Sequence, residues 1–267
     1  TVENLEESLK DLVNQSGRET LYVEKPNDLD LDKVIIPNWF IHKNIDFEWR
    51  ENTLSDFLNA DNEFDEFRKS ARKEVNYLVK EFEMKKSASA YARAATARTG
   101  MLDMSKLHTY QYCEDIFKKV TVLPDGKNHG LVFILDWSGS MSTIMKDTIK
   151  QLYNLIWFCR KVQIPFEVYA FTNGYPYHGN ESRYTAKDNM ICVEDSFALM
   201  SLFSSKVNVR TLDHQMRNIY RIATRFGYYH VSWEERDRFQ VPIGMALSGT
   251  PLDESLICLH QIIPQFK

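Results

Sequence analysis

The sequence predicts an α/β fold with a mainly parallel, Rossmann-like sheet, and three neighbouring segments carry that prediction. Leu131-Val-Phe-Ile-Leu135 is an apolar run of strand length, the signature of a strand buried on both faces. Met141 to Val162 then repeats apolar residues at three- and four-residue steps: Ile144, Met145, Ile149, Leu152, Leu155, Ile156 and Cys159. Phe166-Glu-Val-Tyr-Ala-Phe171 is the next strand. Together they make a β-α-β unit, whose two strands are parallel and whose crossover is right-handed.

The first strand runs into Asp136-Trp-Ser138-Gly139-Ser140-Met141. A carboxylate and two hydroxyls two residues apart, with a glycine between them, place oxygen donors where strand gives way to helix. An all-oxygen donor set selects a hard cation, magnesium, manganese or calcium, over zinc. The helix N-terminus behind this loop adds backbone N–H groups that favour anions around such an ion.

Composition narrows the classes. The chain has 267 residues and 43% hydrophobic content, enough to fill a core, and a net charge of −4 gives no reason to expect nucleic acid or an anionic membrane as partner. No apolar run reaches the roughly 18 residues that a membrane span requires. The acidic start Thr1-Val-Glu-Asn-Leu-Glu-Glu is unlike a signal peptide. Cys113, Cys159, Cys192 and Cys258 are widely spaced and include no Cys-x-x-Cys, so neither a zinc site nor a disulfide framework is expected, and a reducing cytoplasm fits. The first methionine is Met84, from which a missing natural N-terminus is expected.

In chain order, residues 1–54 read as an extension: a short amphipathic helix (Leu5, Leu9, Leu12, Val13), an acidic Pro-containing stretch from Glu24 to Asp32, and an aromatic cluster, Trp39, Phe40, Phe47 and Trp49, expected to dock on the body. Residues 55–127 form a helical region. From Ser55, a candidate cap alongside Asp61 and Asn62, to about Lys86, the residues Phe64, Phe67, Ala71, Val75, Leu78 and Phe82 make a core stripe behind a basic face. The small-residue segment Ser87 to Gly100, with Arg93 and Arg98, is read as a closely packed helix or as a contact for an acidic partner.

Residues 128–267 make the metal-loop domain. A loop from Thr172 to about Asp195 holds Tyr175, Tyr177, His178 and Tyr184, read as surface aromatics or ligand-facing groups. Ser196 to Ser205 is short and apolar, a helix spans Thr211 to Phe226, and Tyr228 to Arg238 has no clear pattern. Ser248-Gly-Thr250-Pro251-Leu opens a last helix to Ile263, with Thr250 as N-cap and Pro251 at its first position. His260 on that helix is a surface or packed histidine.

Asp136-x-Ser138-Gly-Ser140 after an apolar strand resembles the metal-ion-dependent adhesion site of von Willebrand factor A domains, and Gly249-Thr250-Pro251-Leu252 resembles the threonine loop of their chelatase-type members. The segment Gly100-x-Leu102-Asp103-x-x-x-Leu107 further resembles the T subunit of cobaltochelatase and its phage-encoded relatives, so that the likeness covers roughly residues 60 to 265. The resemblance implies a doubly wound sheet and an ion held by Ser138, Ser140 and Thr250 with Asp136, its open position taking a partner's carboxylate. It also implies a non-catalytic subunit of a cobaltochelatase-like complex, partnered by a MoxR-like AAA+ ATPase of the S-subunit type and a large chelatase subunit. Such a hetero-oligomeric ring would serve metal insertion into a tetrapyrrole, in a host cytoplasm if the gene is viral. The chain has no Gly-x-x-x-x-Gly-Lys-Ser/Thr of its own. The family's next strand, ending in Thr-Asp-Gly, is missing before Lys267, so a C-terminally incomplete sheet with an open edge at the Asp136 strand is expected.

Other readings compete. Asp136 as a phosphoryl-transfer nucleophile would want a second acid two residues on, where Ser138 stands. A serine hydrolase would want Gly-x-Ser-x-Gly, which Ser138-Gly-Ser140 lacks. An extracellular adhesion domain would want a signal peptide and disulfides. A phage remodelling adaptor without any chelatase role keeps the same metal site and changes only the target.

Overall fold

The computed structural model describes residues 29–92, 95–112, 116–122, 130–176, 193, 196–226 and 238–266. Their elements are α1 (Leu31–Val34), β1 (Ile35–Ile36), α2 (Asn38–Glu48), α3 (Leu58–Ala92), β2 (Ala95–Leu102), β3 (Phe117–Val122) and β4 (Leu131–Asp136). They continue with α4 (Met145–Lys161), β5 (Phe166–Thr172), β6 (Ala198–Ser204), α5 (Val209–Phe226) and α6 (Leu252–Gln265). The result is a mixed α/β fold with a mostly parallel four-stranded sheet, in the order β1-β6-β5-β4.

The predicted parallel pair is there: β4 and β5 run in register from Leu131 opposite Phe166 to Asp136 opposite Phe171. That register brings Asp136 level with the end of β5, so the loops leaving the two strands start side by side. The apolar 196–205 segment becomes β6, antiparallel to β5, with Ala198 opposite Thr172. Two residues of the predicted extension, Ile35 and Ile36, add a parallel strand beyond β6. Among the described residues β4 pairs only with β5, which leaves it at the sheet's edge.

Alternation along the strands divides the core. Leu135, Val168, Ala170, Met200 and Leu202 face a cluster that includes Ile45 of α2, Phe64 of α3, Ile149 and Tyr153 of α4, and Ile219 of α5. Tyr169, Phe171 and Leu199 face the other way, with Ile257, Cys258 and Ile262 of α6. Helices therefore cover both faces, the layering a strand buried on both sides requires.

Several expectations need correction. Of the aromatic cluster, Trp49, the C-cap of α2, is buried and Phe40 packs against the core beside Ile41 and Ile45, while Trp39 and Phe47 stay exposed, because a helix can turn only one stripe inward. Helix α3 is entered by a 3₁₀ turn, Leu54–Phe57, and the Asp56 carboxylate accepts the Thr53 backbone N–H at 2.7 Å, so the start signal lies before Ser55. Phe64, Ala71 and Val75 are buried as the stripe predicts, but Leu78 is exposed.

Residues 95–102 are a strand rather than the end of a helix, pairing antiparallel with β3 from Ala95 opposite Val122 to Leu102 opposite Phe117. Gly100 has φ +76°, which an α-helix does not accommodate. Helix α4 begins at Met145 rather than Met141, with a 3₁₀ turn at Gly139–Met141 before it; Ile144 and Leu155, placed on its apolar side, are exposed. Helix α6 starts at Leu252 with Pro251 as its N-cap, so Thr250 stands outside the helix and does not cap it. The predicted helix through Leu5, Leu9, Leu12 and Val13, together with Arg93, Tyr177, His178, Tyr184, Asp195 and residues 227–237, lies outside the described residues.

Candidate metal centre

Asp136 closes β4, half-buried, and its Oδ1 accepts the backbone N–H of Ser138 at 3.0 Å. This turn, of the kind aspartate makes with the residue two positions on, fixes the carboxylate against its own loop. Ser138 is extended, and the 3₁₀ turn that follows is closed by Met141 N–H donating to the Ser138 carbonyl at 3.1 Å. Extension followed by a tight turn folds the next hydroxyl back: Ser138 Oγ and Ser140 Oγ lie 2.9 Å apart. Ser138 is buried and Ser140 exposed, so the pair opens to solvent on one side. Gly139 has an ordinary backbone, and a Cβ there would approach no closer than 3.8 Å to the Ser248 carbonyl, so the turn itself does not demand glycine.

A second loop is tied to the first. Gly139 N–H donates to the Ser248 carbonyl at 2.8 Å and Ser248 N–H to the Trp137 carbonyl at 3.2 Å, a one-bridge parallel pairing of Ser138 with Ser248. Thr250 follows two residues later, exposed at the protein surface. A third loop, leaving β5, locks the second: Asn173 Oδ1 accepts both Ser248 Oγ at 2.7 Å and Gly249 N–H at 2.8 Å. Here a side chain would disturb the clasp, because a Cβ on Gly249 would sit 2.8 Å from Asn173 Nδ2 and displace that amide. Beneath them Trp137 is fully buried, and its Nε1 donates to the Met245 carbonyl at 3.0 Å.

The structure thus brings Asp136, Ser138 and Ser140 together and places the backbone that carries Thr250 against them. Sequence reasoning missed Trp137, Asn173 and Ser248. The turn chemistry of Thr172-Asn173-Gly174 at the end of a buried strand was a usable signal, and Trp137 sits inside the motif itself.

The two serine hydroxyls are hydrogen-bonded to each other at 2.9 Å, a separation that two ligands at right angles, each about 2.0 to 2.1 Å from magnesium, would also have. Among the described residues no three His, Cys, Asp or Glu side chains form a metal group, so the candidate set is one carboxylate plus hydroxyls. Burial pushes the thiols of Cys159 and Cys258 up to about 11 and about 12, which keeps both protonated and poor metal ligands or nucleophiles. His260 is exposed on α6. No helix among the described residues is long and apolar enough to cross a membrane.

No protein-family model, curated protein or solved structure matches the chain.

Proposed function

We propose that these three loops hold a divalent cation, magnesium first and manganese or calcium next, and that the protein is a metal-dependent binding module of von Willebrand factor A type. One observation carries the reading: two serine hydroxyls 2.9 Å apart, with Asp136 beside them and the Thr250 segment bridged to the same turn. Hydroxyl ligands leave most of a 2+ charge uncompensated, so the ion keeps affinity for one more anionic oxygen. An acidic side chain of another protein supplies it. Ser138 and Ser140 bind directly in this arrangement, Thr250 closes the set from the second loop, and Asp136 contributes its free oxygen or orients a bound water.

Binding is favoured over phosphoryl transfer because the residue two beyond Asp136 is Ser138, engaged with Ser140, and offers no proton-transferring acid. The partner that the sequence resemblance suggests is a MoxR-like AAA+ ATPase in a cobaltochelatase-like assembly; a phage adaptor acting on another target would use the same site.

Manganese titration of the full chain, followed by the loss of free-ion paramagnetic resonance, tests the centre. Ser138→Ala and Thr250→Val are each expected to weaken binding at least tenfold without lowering the melting temperature, and unchanged affinity in both would sink the assignment. Magnesium-dependent co-purification with a co-expressed ATPase of that class tests the partner separately.

A further inference from the structure

At the other end of α4, about 22 Å along the helix from Met145 at about 1.5 Å per residue, α3, α4 and α5 enclose a cavity of about 310 Å³. Its walls carry four cations, Arg68, Arg72, Arg160 and Lys161, against a single carboxylate, Asp213. Arg68 already occupies that carboxylate at 2.8 Å. Arg160 Nη1 donates to the Val207 carbonyl at 3.3 Å and Lys161 Nζ to Asn76 Oδ1, both neutral acceptors, and Arg72 enters no ion pair among the described residues. Among the described residues, three of the four cations that line the cavity therefore have no carboxylate partner. A little further along the same helices, by contrast, Arg217 and Arg221 are matched to Asp61 and Asp65.

The floor is of another kind. Trp157, Leu212 and Met216 line it, and Trp157 is held in place by the Phe67 ring at 5.6 Å. An apolar floor beneath uncompensated guanidinium and ammonium groups suits a ligand with a flat hydrophobic body and an anionic head, each end satisfied by a different wall. The first turn of α5, which contributes Val209 and Leu212, adds the positive end of an 18-residue helix. We propose that this cavity is a binding site for a small organic anion with a flat apolar body, separate from the candidate metal centre.

The test uses 8-anilino-1-naphthalenesulfonate and its uncharged relative N-phenyl-1-naphthylamine, titrated into the full chain. The sulfonate is expected to bind saturably at one site, at least tenfold tighter than the neutral dye, and to weaken at least tenfold in the exposed variants Arg72→Glu and Lys161→Glu. Val209→Trp, on the exposed rim, is expected to block both dyes; thermal melts establish that all three variants are folded. Equal affinity for the two dyes, sulfonate binding that ignores the charge reversals, or absence of a saturable site in the folded wild type would each overturn the proposal.

Discussion

Two polar regions of this protein are built on opposite rules. Along the seam of α2, α3 and α5, unlike charges meet. Arg221 forms a two-pronged pair with Asp61 at 2.8 and 2.7 Å, Arg217 reaches Asp65 at 2.7 Å, and Asp46 accepts from His214 and Asn218 at 2.9 Å each. At the ends of β4 and β5, like groups meet: a carboxylate and two hydroxyls converge, and no cationic side chain answers them in the hydrogen bonds they make. A satisfied network of unlike charges locks helices together. A cluster of oxygens is stable only because each leans on a backbone N–H or another hydroxyl, and it has acceptor capacity left for a cation. The seam serves stability, and under the proposed function the loops serve binding, so substitutions in the two regions should separate the two properties.

The largest effect is expected at Asp61. Asp61→Ala strands the nearly buried Arg221 guanidinium, which also lies 4.1 Å above the Phe57 ring, at a cost of about 3 to 5 kcal/mol. Urea unfolding should show the lower midpoint while manganese affinity of the folded fraction is unchanged; a loss of affinity instead would couple the regions.

Next comes pH, through His42 on α2. It is buried, its Nε2 is 2.8 Å from the Leu202 carbonyl, its Nδ1 has no partner, and burial lowers its pKa to about 4. A folded pKa below the ordinary 6.5 means that the unfolded chain takes up a proton the folded protein refuses. The contribution is therefore complete above about pH 6.5 and is lost as pH falls toward 4, to a limit of about 3 kcal/mol. His42→Gln, which keeps a donor for Leu202, should flatten that part of the stability profile between pH 7 and 4.5. His214 behaves oppositely: the Asp46 hydrogen bond raises its pKa, so its contribution is present below about 6.5 and fades as pH rises past its folded value.

Smaller again is Trp137→Phe, which keeps a six-membered ring but leaves a small cavity at a fully buried site and the Met245 carbonyl without its donor, at about 2 kcal/mol. Because this bond holds the segment leading to Ser248, the variant should also weaken manganese binding several-fold, the one case in which stability and binding fall together. Ser138→Ala marks the far end of the contrast. It should lower the unfolding free energy by less than about 1 kcal/mol, yet reduce ion binding at least tenfold.

What was legible from sequence was local. The 3.6-residue stripe of α5, with Leu212, Met216, Ile219, Tyr220 and Ala223, is buried as periodicity predicts, and so is the β5 run, because burial of a single face or strand is written in neighbouring residues. The Asp136, Ser138, Ser140 triplet is likewise legible, since a loop of five residues carries its own geometry. Thr250 was placed by resemblance, and its predicted role as a helix cap failed because Pro251 took that position.

The remainder depended on partners far along the chain. That Ile35 and Ile36 would extend the sheet past β6, that β6 would run antiparallel, and that β2 would find β3 rather than finish a helix are choices between segments separated by loops. Local propensity does not rank such pairings; the burial available to the whole chain does. The same holds at the site. The sequence by itself determined which oxygens are offered, whereas the bridge from Ser138 to Ser248 and the Asn173 clasp, spanning 110 and 75 residues, were decided only by the tertiary structure that brings three strand and helix ends to one place.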